Sequence, residues 1–168
     1  EVQLLKKLRN TPNITTFYGS FIYDNKLFIC MELMEMSLTE YYKQVHQMKS
    51  SFPEELLGCI CVCVTDALIA CKSIRIMHRD VKPLNILLNR TGEIKLCDFG
   101  LSRILVDSLA TTIVGTMAYW PPERFTGEGS FDIRHDVWSL EITLIDTTLS
   151  NYPLSKNSIF NACFPNIR

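Results

Sequence analysis

The sequence predicts an α+β domain, helical over most of its length, with a small antiparallel sheet near its start. Three observations carry this. Residues 14–23 and 26–32 alternate as strands around the polar pair Asp24-Asn25, which reads as a hairpin turn. Two long apolar stretches, 54–70 and 136–149, have helical length. Between them lies a short loop, His78-Arg79-Asp80-Val81-Lys82-Pro83-Leu84-Asn85, dense in polar side chains.

Taken in order, Glu1 to Leu8 reads as the end of a helix, with Val2, Leu5 and Leu8 near helical spacing. Asn10-Thr11-Pro12-Asn13 breaks it. After the two strands, Glu35-Met36-Ser37 leads into a helix from Leu38 to about Met48. Ser51-Phe52-Pro53-Glu54-Glu55 starts the next: Ser51 is the expected cap, proline suits a first turn, and the two acids suit the helix dipole. The apolar run behind it is nearly unbroken, so burial on most sides is expected. Residues 86–88 and 94–97 read as short strands around the turn Asn89-Arg90-Thr91-Gly92. Residues 98–123 lack periodicity, as functional or disordered loops do. The tail, 151–168, is polar and mixed.

Composition narrows the function classes. The 168 residues suit about one domain, and 47% hydrophobic content is enough for a core. Charge is balanced at a net −1, which does not suggest nucleic acid or an anionic membrane as a partner. The apolar segments read as too short or interrupted to span a bilayer, which takes about 20 residues, and no basic-then-apolar leader is present. Seven cysteines lack zinc-ligand spacing. Cys59, Cys61 and Cys63 cannot converge from one helix, because residues two apart do not share a face. Buried, reduced thiols are the expectation, and with them a cytoplasmic setting.

The loop at 78–85 carries the chemistry. Asp80 can accept a hydroxyl proton, Lys82 can neutralise a moving phosphoryl group, and Asn85 can hold a metal ion through its oxygen. Asp98-Phe99-Gly100 supplies a second carboxylate. That set suits metal-assisted phosphoryl transfer, which is mostly positioning and charge neutralisation. As loop-capping acids Asp80 and Asp98 would also be unremarkable. The combination, with Val81 in the leucine place, matches the protein-kinase signature, and its several residues in order argue against coincidence.

On these motifs the chain resembles eukaryotic protein kinases, and within them the mitogen-activated protein kinase kinases, most closely the stress-activated branch. Further similar stretches are Ile29-Cys30-Met31-Glu32-Leu33-Met34, Gly92 to Ser102, Val106 to Thr112 and Asp132 to Leu140. The resemblance implies a remnant of the small lobe and hinge in residues 1–34 and an incomplete large lobe in 35–168. It implies Asp80 as catalytic base, Lys82 at the transferring phosphate, and Thr116 bracing both. Asn85 and Asp98 would ligate Mg2+. Met31, Glu32, Met34 and Leu87 would surround the adenine of ATP. Ser108 and Thr112 would be phosphorylation sites, Glu123 would meet an arginine, and Asp136 would hold the catalytic loop from below. Glu1 would stand for the glutamate that meets the ATP lysine.

The implied activity is ATP-dependent phosphorylation of threonine and tyrosine on a downstream mitogen-activated protein kinase, under an upstream activating kinase. Neither nucleic acid nor membrane is an expected partner. The sequence departs from the family in showing no glycine-rich loop or ATP lysine, in Pro121 for alanine, Thr111 for lysine and Ser150 for glycine, and in Glu141 for a helix glycine. A buried Glu141 would be costly without a partner. These departures favour two alternatives: a non-catalytic pseudokinase or scaffold, and an inactive truncated product.

Overall fold

The computed structural model describes residues 2–104, 115–126 and 132–149. Helix α1 (Val2–Lys7) buries Leu4 and Leu5. Strands β1 (Phe17–Tyr23) and β2 (Lys26–Met31) pair antiparallel, Phe17 opposite Met31 and Tyr23 opposite Lys26. Asp24 and Asn25 turn the hairpin with φ of 50° and 54°, the left-handed conformation that a tight hairpin turn needs and that these two residue types tolerate. Residues 14–16 are not strand, although Ile14 makes one parallel bridge to Leu96.

β3 (Met36–Ser37) runs directly into α2 (Leu38–Gln47). Ser37 caps α2, and Glu40 reaches back to the Ser37 N–H at 2.7 Å, a reciprocal box that satisfies two otherwise orphaned donors. α3 (Glu54–Ser73) starts one residue after Pro53, which has no side-chain cap bond; Ser51 is not its cap. β4 (Ile76–Met77) follows, then a 3-10 turn (Pro83–Asn85), β5 (Ile86–Leu88), β6 (Ile94–Leu96) and β7 (Arg103–Ile104). A second 3-10 turn (Met117–Tyr119), α4 (Glu123–Thr126) and α5 (Arg134–Leu149) complete the described elements. β5 is flanked by β3 and β6, both antiparallel, and β4 pairs with β7.

The core joins the two ends of this order. Leu5, Ile14, Leu38, Ile60, Ile86 and Leu96 belong to one buried cluster. α3 contributes a single stripe to it, through Ile60, Val64, Ala67, Leu68 and Cys71. The expectation that α3 is buried on most sides is therefore corrected: Val62 is 61% and Ile69 59% exposed. At 20 residues α3 is also long and apolar enough, by length and composition, to cross a membrane, contrary to the reading of the sequence. A helix packed into a core passes the same test, and the stripe facing β6, β4 and α5 is what it does in this fold.

The thiols differ from expectation too. Cys71 alone of the six described cysteines is buried; Cys30 and Cys59 are exposed, and Cys61, Cys63 and Cys97 are half-buried. All six are free. Glu141, feared as a buried charge, lies on the exposed side of α5.

Candidate active site

The loop 78–85 hangs between a helix and a sheet. From below, Asp136 on α5 accepts the backbone N–H of His78 at 2.8 Å and that of Arg79 at 2.7 Å. Arg79 has a φ of 72°, a strained conformation for its type, and the Asp136 bond helps hold it there. Burial pushes the Asp136 carboxyl above the usual carboxylate range, and His78 and the two amide bonds oppose it.

His78 is fully buried and joins three segments. Its Nε2 donates to the Cys97 carbonyl at 2.9 Å, and its Nδ1 accepts the Asp80 N–H at 3.3 Å. That pattern defines a neutral ring with the proton on Nε2. Burial lowers its pKa, in accord. Phe99, itself buried, stands edge-on to the His78 ring at 4.8 Å between centroids. His78 thus has a structural place in this geometry.

Asp80 is the centre of the polar set. Its Oδ1 accepts both the N–H (3.1 Å) and the hydroxyl (2.8 Å) of Thr116. Its Oδ2 accepts Lys82 Nζ at 2.6 Å and Asn85 Nδ2 at 3.1 Å. Lys82 Nζ also donates to Thr116 Oγ1 at 2.9 Å, closing a ring of three side chains. Burial alone would raise the Asp80 carboxyl; the bonds from Lys82 and Thr116 outweigh it and hold it below the usual range. The chain thus keeps an ionised carboxylate with an amine beside it.

Thr116 reaches this position because Gly115 lets the backbone close in. Gly115 has a φ of 115°, and a Cβ there would stand 2.6 Å from the Arg79 carbonyl oxygen. Nothing in the sequence patterning singles out Gly115. Beyond it, the Arg124 guanidinium lies 3.7 Å above the Trp120 ring, and Glu123 Oε1 is 3.6 Å from His135 Nε2.

The candidate metal pair is linked through the backbone: the Cys97 N–H donates to the Asn85 carbonyl at 2.9 Å, so Asp98 follows one residue beyond that contact. Asn85 Nδ2 is committed to the Asp80 carbonyl (2.8 Å) and carboxylate, which leaves its side-chain oxygen as the atom to offer. Asp98 is exposed, in the left-handed region at φ 63°. Two hard oxygen donors of this kind suit Mg2+. The Cys97 thiol beside them is pushed up to about 12, by burial first and by Asp98 second, so it stays a neutral thiol.

The candidate adenine strip lies apart from this ring. Met31 ends β2 and is 37% exposed; Glu32, Met34 and Leu87 are half-buried. The Glu32 N–H donates to the Thr16 carbonyl at 2.9 Å, so the carbonyl is the backbone group that Glu32 has to offer. Its carboxylate takes Lys95 Nζ at 2.6 Å and the Thr16 N–H at 3.0 Å. Burial acts to raise Glu32, and Lys95 and Thr16 overcome it, leaving the carboxyl lowered. Lys95 received no role from sequence reasoning; as the outward residue of a short strand it gave no sign of its partner. Glu1, Ser108 and Thr112 lie outside the described residues.

Comparison with known proteins bears on the chain as a whole. The protein kinase domain family model matches residues 1–166. MAP kinase kinase mkk-4 of Caenorhabditis elegans is 43% identical over 165 residues, covering 96% of this chain and 46% of that protein. Dual specificity mitogen-activated protein kinase kinase sek-1 of the same organism is 41% identical over 146 residues, 84% of this chain and 44% of its own length. Dual specificity mitogen-activated protein kinase kinase mek-2, also from Caenorhabditis elegans, is 44% identical over 156 residues, 92% of this chain and 39% of its own. The chain spans less than half the length of each of these relatives.

Proposed function

The chain belongs to the protein kinase domain family, and from that membership we propose that the protein carrying it transfers the γ-phosphate of ATP to threonine and tyrosine hydroxyls of a downstream mitogen-activated protein kinase. The observation that carries the reading is the ring of Asp80, Lys82 and Thr116 around one low-pKa carboxylate.

Each residue has a stated task. Asp80 orients the acceptor hydroxyl and takes its proton, for which the carboxylate must be ionised at neutral pH. Lys82, fixed beside Asp80, stabilises the negative charge spread over the phosphoryl oxygens in transfer. Thr116 holds both in register. Asn85 and Asp98 would hold Mg2+, which when bound neutralises phosphate charge. The Glu32 carbonyl and the Met34 backbone receive the adenine edge, Met31 stands behind the adenine, and Leu87 covers its face.

Ser108 and Thr112 are the proposed activating phosphorylation sites for an upstream kinase, each adding about −1.5 to −2 charge. Alanine at both should abolish activation, with mass spectrometry losing the two phosphates; activation that survives the double change removes this part of the reading. A scaffold has no chemical use for Asp80, Lys82, Asn85 and Asp98 together, which is why the catalytic reading stands ahead of it. The test is phosphate transfer by the intact protein to a mitogen-activated protein kinase, against an Asp98→Ala control.

A further inference from the structure

Outside the Asp80 ring, Lys95 and Glu32 form a close ion pair between two partly buried side chains. Nζ lies 2.6 Å from Oε1, and the two side chains are 13% and 17% exposed. Glu93 Oε1 stands 3.3 Å from the same ammonium. The other Glu32 oxygen accepts the Thr16 N–H, and the Glu32 N–H returns to the Thr16 carbonyl. Glu32 is thereby held at both its backbone and its side chain.

Lys95 also has a defined neighbour across the sheet. It is the Cα partner of Leu87 in the β5–β6 ladder, and directly paired residues present their side chains on the same face. The segment after β2 is tied to that hairpin a second time, through the Glu35 N–H on the Leu88 carbonyl at 3.1 Å. One ammonium thus joins the strip beginning at Glu32 to β6, the strand paired with the one that carries Leu87.

Stability alone is a poor reason for this arrangement. Desolvating two charges offsets most of their attraction, and apolar side chains of similar volume commonly do as well. What apolar packing does not supply is a fixed direction. We propose that Lys95 is a positioning residue for the nucleotide: it clamps Glu32 beside Leu87, so that the group meeting the adenine edge and the side chain covering its face keep one spacing. The inference rests on the reading of Glu32 and Leu87 as adenine contacts.

The experiment compares Lys95→Met and Lys95→Arg with the wild type in the intact protein. Lys95→Met raises the KM for ATP about 3- to 10-fold, while kcat and the KM for the protein substrate stay within about twofold, the pattern of lost ground-state binding. Lys95→Arg keeps the contact and stays within about twofold of wild type in all three. Amide exchange at Thr16 and Glu32 is faster in Lys95→Met only. An unchanged KM for ATP overturns the proposal; so does a parallel loss of all three constants with a lowered melting temperature, which marks a merely structural lysine. Should Lys95→Met fail to fold, Glu32→Gln reads the same contact, with the same expected rise in KM for ATP and the same overturning result. If the wild type transfers no phosphate, the proposed function fails, and titration of both proteins with a fluorescent ADP analogue tests the clamp separately. Weaker binding to Lys95→Met supports it, and equal binding overturns it.

Discussion

Thr116 grips one oxygen of Asp80 twice, with its backbone N–H at 3.1 Å and its hydroxyl at 2.8 Å. The hydroxyl also accepts from Lys82. Thr116→Val keeps the shape and the N–H but removes the link. A hydrogen bond to a charged group contributes about 1.5–3 kcal/mol, so turnover should fall roughly 10- to 100-fold. Thr116→Ser should keep most of it. Steady-state transfer kinetics on the intact protein measure both, and equal rates for valine and serine would mean that the hydroxyl is idle.

Asp136 is the buried acceptor for two consecutive amides of the loop. Asp136→Ala leaves both donors without that acceptor, and each unsatisfied buried group costs about 1–3 kcal/mol. The expected loss is therefore about 2–6 kcal/mol in a denaturant melt. A loss under about 1 kcal/mol would show that water or another group takes over both amides.

Glu141 faces solvent, so the concern over a buried charge does not apply. What remains is helix propensity. Glu141→Gly should destabilise by about 0.5–1 kcal/mol, and Glu141→Ala should change little. This reverses the direction that burial would have given. A glycine variant more stable than wild type, by chemical denaturation, would contradict the exposed placement.

Acid should loosen the fold through His78. Its folded pKa is lowered by burial, so the native state binds fewer protons than the unfolded chain. Stability is then full above the unfolded value of about 6.5 and falls as pH drops through it, by up to about 1.4 kcal/mol per pH unit for one histidine. His135, lowered for the same first reason, acts in the same direction. Asp136, pushed up by burial, acts oppositely, from the ordinary carboxylate range upward. Subtracting the profile of His78→Phe isolates the His78 share. A difference profile that is flat from pH 7.5 to 5.5 would contradict a neutral buried ring.

The residues legible in the sequence were those whose partners lie a few positions away. Asp80, Lys82 and Asn85 sit within one loop, so their pattern points to phosphoryl transfer without any knowledge of the fold. The Asp24-Asn25 turn and the strands on either side were legible for the same local reason. Ser37-Leu38-Thr39-Glu40 is a local capping signature of the same kind, at the start of α2. Thr116 and Asp136 came only through family resemblance, since no local rule links either to Asp80. Lys95 and Gly115 were illegible because their roles depend on chain segments far away: Glu32 for the first and the Arg79 carbonyl for the second. The exposure of α3 and Glu141 was misjudged because composition reports how apolar a helix is, not how much of it the neighbouring elements cover.

The most direct measurement is phosphate transfer by the intact protein with Asp80→Asn. Asparagine keeps the size of the side chain, and its one oxygen can still accept from Thr116 or from Lys82, which bind different carboxylate oxygens, but it cannot serve as the base. Transfer to a mitogen-activated protein kinase should fall by about 100-fold or more, the range in which a positioned general base contributes, while ATP affinity stays within about threefold. Turnover near that of the wild type would contradict the account, because the carboxylate around which Lys82, Asn85 and Thr116 are arranged would then have no part in the chemistry.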